Sequence, residues 1–304
     1  MIDTTPRATK LSELTNDVGY ITTVSWSQVT GKPTIPTNTS QLTNDSGYCT
    51  SAYVRQNCSI WVDWTVYDEN GLKFTATQSN STISLSRTSN APQVSLECSL
   101  DDGETWSSFV PGSTTITLQN EGDSMLLRAG SGGNTRFATS TSNYHRFSIT
   151  GKVSVSGSIM FLLDPNGSDT ATMGDYCFTN LFHQCAAIVS APRLPSPNVT
   201  QYCYYNMFRS CTSLATGPEV LPATTLAYCC YGEMLNDTAI TKAPYIKATT
   251  LDSYCFRGMF YGCSSLREIK LDYDGNFSGS GVPGNAFYYW NSGLPSGGTL
   301  YYNG

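Results

Sequence analysis

The feature of this sequence that most limits how the chain can fold is a 26-residue repeat in its C-terminal third. Tyr-Cys pairs begin at Tyr176, Tyr202, Tyr228 and Tyr254, each 26 residues after the one before. A second cysteine follows in three of the four units, and Asp237 takes its place in the third. Four units in register predict a solenoid, in which each coil buries its apolar side only by stacking on its neighbours.

Apolar residues inside a unit are spaced as in a helical turn that is followed by a short strand. Four residues of the second unit stand at i, i+4, i+8 and i+11, on one face of a helix; they are Cys203, Met207, Cys211 and Leu214. Prolines after this segment stop the helix. Val220-Leu221 or Tyr245-Ile246 can then form an extended return, and Glu233 takes the methionine place of the third unit.

The cysteines of the repeat are expected to be small buried side chains with free thiols. The chain has 11 cysteines, an odd number, and it begins without the basic and apolar segments of an export signal. Both observations argue against a complete disulfide framework. A disulfide ladder is the alternative, although Asp237 interrupts it and Cys230 is an extra member.

Two segments carry a family resemblance. Residues 202–214 read Y-C-Y-Y-N-M-F-R-S-C-T-S-L, and residues 254–266 read Y-C-F-R-G-M-F-Y-G-C-S-S-L. They resemble leucine-rich repeats of the BspA type, which are common in surface proteins of gut Bacteroidetes and in phages of those hosts. Residues 96–106 and 151–160 resemble the β module that often precedes such repeats.

Residues 58–170 have the pattern of an antiparallel β domain. Leu72–Ala76 and Thr82–Ser86 alternate apolar and polar residues, and further strand segments follow at intervals of about 8–12 residues with polar turns between them. An Asp-Gly hairpin signal stands at Asp102. The pattern predicts a sandwich of two sheets. The acidic turns at Asp101 and Asp164 could hold a cation, but solvated loops explain them as well, and we expect no metal.

Residues 1–57 contain a second duplication. The motif L-T-N-D-x-G-Y starts at Leu14 and again at Leu42. The segment has too few apolar residues to close a core alone, so it needs copies of itself or a larger partner; a flexible linker is the alternative. The motif resembles the shaft or virion-attachment segments of phage tail and head fibres. This resemblance implies a homotrimer with five residues buried between chains, namely Leu14, Tyr20, Trp26, Leu42 and Tyr48.

The composition of the chain excludes some classes of function. Lys and Arg number 17 against 23 Asp and Glu, so the net charge of −6 argues against nucleic-acid binding, which needs a basic face. No apolar stretch is long enough to span a bilayer, so we expect no membrane insertion. Ser and Thr fill 75 of 304 positions, as in β-rich surfaces that face outward. Assembly in a host cytoplasm and exposure on a virion would bring such a surface outside.

Catalytic motifs are missing from the sequence. There is no G-x-S-x-G elbow, P-loop or H-E-x-x-H, and His145 and His183 are its only histidines. Glu233 and Asp237 are the best pair of carboxylates for glycoside hydrolysis, although they occupy positions of the repeat pattern. We therefore expect a protein that is not an enzyme and that has no cofactor.

Together these patterns predict a mainly β protein with a short α/β leucine-rich-repeat solenoid. An extended fibre segment (1–57) contacts other virion proteins, a β-sandwich (58–170) follows, and the solenoid with a C-terminal cap (171–304) is displayed outward. The predicted function is a bacteriophage tail or head fibre that binds host-surface or mucosal glycans, or a protein receptor. A capsid or tail decoration without a ligand and a Bacteroidetes cell-surface adhesin are the alternatives.

The ligand-binding residues are expected at exposed variable positions of the repeat and in the aromatic C-terminal tail. His183, Arg209, Leu235 and Tyr261 occupy one such position in successive units. Trp290 is expected to cap the last coil. The predicted binding residues are His183, Arg209, Arg257, Tyr261, Arg267, Tyr288, Tyr289, Tyr301 and Tyr302.

Overall fold

A computed structural model describes residues 70–275, 277 and 282–302. The described part is mainly β, with several sheets and almost no helix, which confirms the mainly β prediction. The predictions for residues 1–57, including the trimer contacts of Leu14, Tyr20, Trp26, Leu42 and Tyr48, lie outside the described residues.

Most strands of the first two sheets are those that the sequence pattern predicts; the strands at Ser107–Ser108 and Ile188–Ser190 were not predicted. One sheet contains β1 (Leu72–Ala76), β3 (Leu96–Ser99), β4 (Ser107–Ser108), β6 (Ser124–Ala129), β8 (Val153–Ser156) and β9 (Ile188–Ser190), in the order β4-β3-β6-β1-β8-β9. The other contains β2 (Ser81–Arg87), β5 (Thr115–Leu118) and β7 (His145–Thr150), in the order β5-β2-β7. All pairs are antiparallel except β8 with β9.

Aromatic side chains join the two sheets to the repeat region. The ring of Phe74 in β1 lies 5.1 Å from that of Phe147 in β7, centroid to centroid, and Phe147 stacks on Phe182 at 4.8 Å. All three side chains are buried. One hydrophobic core therefore contains residues of both sheets and of the repeat units.

The repeat units form a stack of five turn segments, at residues 176–185, 202–211, 229–238, 254–263 and 285–294. Within a segment, alternate N–H groups donate to the carbonyl three residues earlier, as His183 does to Asn180. The N–H groups between them donate to the next segment; Phe182 N, for example, lies 2.9 Å from Met207 O. The backbone of each segment is therefore hydrogen-bonded both within itself and to its neighbour.

The predicted helix in each unit is wrong. Every fourth residue of the first segment has a positive φ, with 62° at Tyr176, 59° at Asn180 and 60° at Gln184. Left-handed residues at this spacing interrupt an α-helix, whose N–H groups all bond four residues back. The turns repeat every four residues, so they keep the i, i+4, i+8 apolar face that suggested a helix.

In the third unit, each structural position lies one residue later in the chain than the 26-residue spacing predicts. Cys229 holds the left-handed position with a φ of 52°, and the chain has one extra residue before it compared with the second unit. Cys230 is therefore the member of the buried cysteine row rather than an extra one. Met234 takes the methionine place that was predicted for Glu233, and Thr238 takes the cysteine place that was predicted for Asp237.

Return strands complete the units as expected. β10 (Val220–Leu221), β11 (Lys242–Ile246), β12 (Glu268–Leu271) and β13 (Thr299–Tyr302) form a parallel sheet in chain order. The predicted extended segments Val220-Leu221 and Tyr245-Ile246 are confirmed as strands, although β11 begins before Pro244 rather than after it. Two short 3₁₀ turns, Ile159–Leu162 and Pro283–Asn285, are the helical elements of the described residues.

A ladder of rings runs through the stack and ends at the C-terminal segment. Adjacent centroids lie 5.7, 5.7, 6.1 and 5.4 Å apart along Phe178, Tyr204, Tyr231, Phe256 and Phe287. Trp290, 6% exposed, contacts Phe256 and Phe260 of the fourth segment. The C-terminal tail thus covers the apolar side of the fourth segment.

Phe182→Ala should destabilise the described fold as a whole, by about 3–5 kcal/mol, because the lost ring contacts both β7 and the second segment. Urea unfolding, followed by circular dichroism, measures this loss. Tyr261→Ala, at a side chain that is 46% exposed, is the matched control and should change the free energy of unfolding by less than about 0.5 kcal/mol. Equal losses in the two variants would contradict a shared core.

Candidate functional site

The stacked segments align their outward side chains in rows. The hydrogen bonds from Gln184 to Arg209, from Ser210 to Asn236 and from Asp237 to Tyr261 set the register. One row consequently consists of His183, Arg209, Asn236 and Tyr261, of which Asn236 is buried with 5% of its surface exposed. Leu235, which the sequence alignment put in this row, is fully buried, and the extra residue of the third unit explains the difference.

A charged cluster lies between the second, third and fourth segments. Glu233 occupies a left-handed position with a φ of 51°. Its carboxylate lies 2.5 Å from Arg209 Nη1 and 3.8 Å from Arg257 Nη2, and the Tyr205 hydroxyl donates to it at 3.5 Å. The Glu233 side chain is 12% exposed, whereas those of Arg209 and Arg257 are 38% and 45% exposed. A partly buried carboxylate therefore holds two guanidinium groups that stay accessible to solvent.

The electrostatics of this cluster extend to its neighbours. Burial, and next the charge of Glu233, raise the pKa of Tyr205 to about 12. Burial lowers the pKa of His183, and the positive charges of Arg209 and Arg146 lower it further. His183 was predicted to be exposed but is half-buried, because it packs into the stack beside the second segment.

Exposed tyrosines continue the cluster on the C-terminal side. Tyr261, Tyr288 and Tyr289 are 46%, 43% and 59% exposed. Gly258 N donates to Tyr288 O at 2.8 Å, which places Tyr288 beside the fourth segment, and the Tyr288 and Tyr289 rings lie 4.1 Å apart. A hydrogen bond with Tyr289 raises the pKa of Tyr288. We call the surface made by the outward residues of all five segments the turn face; it consists of His183, Arg209, Glu233, Arg257, Tyr261, Tyr288 and Tyr289.

The other predicted binding residues lie outside the turn face. Arg267 lines a cavity of about 290 Å³ with Trp290 and Thr299, and its Nη1 donates to the carbonyls of Ser264 and Leu266 at 3.0 and 3.1 Å. Tyr301 and Tyr302 lie on β13, with exposures of 51% and 47%. The structure thus separates the predicted residues into the turn face and a C-terminal group.

Sequence reasoning missed an outward row on the parallel sheet. Strand register aligns Tyr245, Lys270 and Tyr301. Lys270 Nζ lies 4.1 Å from the Tyr245 ring centroid, and the Tyr245 hydroxyl donates to Asp272 at 2.7 Å. The alternation of charged and apolar residues in Glu268–Leu271 was the signal that could have revealed this row.

The residues that were considered for catalysis have different surroundings. Glu233 contacts arginines, and Asp237 is exposed one turn further along the segment. His145 is fully buried; its Nδ1 lies 2.9 Å from Phe137 O, and burial lowers its pKa. Among the described residues, no group of three or more His, Cys, Asp and Glu could hold a metal ion. No helix in that part of the chain is long and apolar enough to cross a membrane.

The nine described cysteines are all free and buried. Burial raises the pKa of Cys203 and of Cys255 to about 12. These thiols therefore stay protonated at neutral pH, where they act as small apolar side chains.

Comparison of the chain with protein-family models, with curated proteins and with solved structures finds no match in any of the three.

The free energy of unfolding should fall as the pH rises above about 8.5. Unfolded thiols ionise near that pH, whereas the folded Cys203 thiol keeps its proton until about pH 12, so the folded state binds more protons in this window. Between about pH 7.5 and 10.5 the loss should be on the order of 2 kcal/mol for this fully buried thiol. Urea unfolding at the two pH values measures it.

Cys203→Ala is the matched control for this pH dependence, because it removes the titrating group and keeps a small apolar side chain. The variant should lose correspondingly less stability over the same pH range. An unchanged pH dependence would show that Cys203 ionises equally in the folded and unfolded states.

Proposed function

We propose that this chain is a structural virion fibre of a bacteriophage, and that its turn face binds host-surface or mucosal glycans. The observation that carries the glycan-binding part is the turn face itself. It combines accessible guanidinium groups at Arg209 and Arg257 with exposed rings at Tyr261, Tyr288 and Tyr289. Exposed rings stack on the apolar faces of sugars, and guanidinium groups donate hydrogen bonds to sugar oxygens.

The stacked segments support the further proposal that the C-terminal region is a solenoid of BspA-type leucine-rich repeats. Each unit joins a turn segment, hydrogen-bonded to the next, to a return strand in a parallel sheet. In such an array the core positions hold the coils together, and outward positions can differ from unit to unit. This arrangement suits a display surface better than an enclosed catalytic pocket.

The fibre part of the proposal rests on the duplicated motif of residues 1–57 and its resemblance to phage fibre segments. In a trimer, several weak glycan contacts would act together, and the effective concentration of the second and third sites would raise the overall affinity. The free buried thiols of the described residues suit assembly in a reducing cytoplasm. The proposal includes attachment to either the tail or the head of the virion.

Replacing both Tyr288 and Tyr289 by alanine should weaken binding to a glycan array and to purified mucin by about tenfold or more, because two stacking platforms are lost. Leu100→Ala is the control: this side chain is 60% exposed and lies outside the turn face. Circular dichroism should show both variants folded. Unchanged glycan binding by the double variant would contradict a binding site on the turn face.

Immunogold electron microscopy with antibody against residues 171–304 tests the virion proposal. Gold should label purified phage particles, at the tail for a receptor-binding fibre or over the capsid for a head fibre. Unlabelled particles would contradict the virion proposal if blotting shows that the antibody recognises the chain.

A further inference from the structure

We propose that the turn face recognises an acidic sugar, whose carboxylate or sulfate group binds to the guanidinium groups of Arg209 and Arg257. This inference rests on the proposed glycan binding and names the chemical class of the ligand.

The charges of the turn face and its margin leave an excess of positive charge in an acidic protein. Arg146, Arg209 and Arg257 contribute guanidinium groups, and Glu233 and Asp237 contribute carboxylates. Arg146 belongs to this set because it donates to Gln184 of the first segment at 3.4 Å. The whole chain, by contrast, carries a net charge of −6. An anion that approaches the chain is therefore attracted to this face more than to an average part of the surface.

His183 lies near two of the arginines that give this face its positive charge. Arg209 and Arg146 both disfavour a proton on its imidazole, in addition to the effect of burial. The first two segments thus lie in the field of both guanidinium groups.

The hydrogen-bonding groups of the cluster are rich in donors and poor in free acceptors. Glu233 is the acidic group between the two arginines, and its two oxygens already face Arg209, Arg257 and Tyr205; the carboxylate of Asp237 lies at the margin of the face. Each guanidinium group has five N–H donors in a planar fork, and Arg209 uses one of its nitrogens on Glu233. A neutral sugar offers hydroxyl groups that need acceptors as well as donors. A carboxylate or sulfate offers acceptors alone and matches the fork of an arginine.

Glu233 also pre-organises the two arginines. Its carboxylate sits between them with 12% of the side chain exposed, so Arg209 and Arg257 are held on either side of one anchor. Less rotational freedom is then lost when a ligand binds than with two unanchored long side chains. The left-handed backbone at Glu233, with a φ of 51°, is what brings this carboxylate to the outer face.

The length of the face fits an oligosaccharide. Its residues belong to five segments joined by hydrogen bonds, and four spacings of about 4.8 Å, the usual separation of hydrogen-bonded extended chains, give about 19 Å. An acidic sugar at the arginines would leave Tyr288 and Tyr289, at 43% and 59% exposure, to stack on a neighbouring sugar ring. Charge and stacking would thus act on adjacent sugars of one chain.

The test is binding of the full chain to an array of matched glycans, in which sialylated and sulfated glycans stand beside their neutral parents. The acidic members should bind about tenfold tighter than their parents, and added salt should reduce this difference. Sialylated and sulfated members distinguish a carboxylate from a sulfate as the recognised group.

Arg257→Gln is the informative variant, because its side chain is 45% exposed and Glu233 keeps Arg209 as a partner. It should remove most of the preference for acidic glycans, because an acidic glycan loses a charge-assisted contact whereas its neutral parent loses only the weaker hydrogen bonds of one guanidinium group. Lys270→Gln is the matched control: it removes the same charge from the outward row of the parallel sheet and should leave the preference intact. Circular dichroism checks that both variants are folded.

The outcomes separate this inference from the function on which it rests. Equal binding of acidic and neutral glycans would overturn the acidic-sugar inference while glycan binding stands. An equal loss of preference in both variants would show a general charge effect and would also overturn it. Failure of the folded chain to bind any glycan would remove the proposed glycan binding together with the inference.

Discussion

The C-terminal half of this protein depends on the hydrogen bonds that its turn segments make with one another. In each of the first four segments, alternate N–H groups donate within the segment and close local turns. The N–H groups between them donate to carbonyl groups of the next segment, so both sets are hydrogen-bonded. This division requires a left-handed residue at every fourth position, such as Asn180 or Asn206. Asparagine adopts that backbone at a low cost, and glycine does so at Gly258 and Gly262.

A single extra residue in the third unit determines the chemistry of the turn face. It shifts the backbone pattern so that Cys229, Glu233 and Asp237 hold the left-handed positions. Glu233 consequently projects toward Arg209 and Arg257 instead of into the apolar core, where Met234 lies. The third unit, which departs from the repeat pattern, therefore supplies the carboxylate that holds Arg209 and Arg257.

Strands and repeats could be predicted because their signals are local. Leu72–Ala76 alternates with period two, and the return-strand residues Val220-Leu221 and Tyr245-Ile246 stand directly beside prolines. The helix prediction failed at Cys203, Met207 and Cys211, because a four-residue turn ribbon and an α-helix place the same i, i+4, i+8 residues on one face. The contacts of Glu233 depend on the shifted register, which the 26-residue spacing concealed, so sequence spacing alone could not reveal them.

The four-residue turn separates the residues that hold the stack from those that meet solvent. Rows such as Phe178, Tyr204 and Tyr231 are buried in ring contacts, while Arg257, Tyr261 and Tyr289 belong to rows with free space outside. Substitutions in the outward rows therefore cost little folding energy. If the turn face binds a receptor as proposed, a lineage of such proteins could exchange one receptor for another through a few surface replacements above the same buried scaffold.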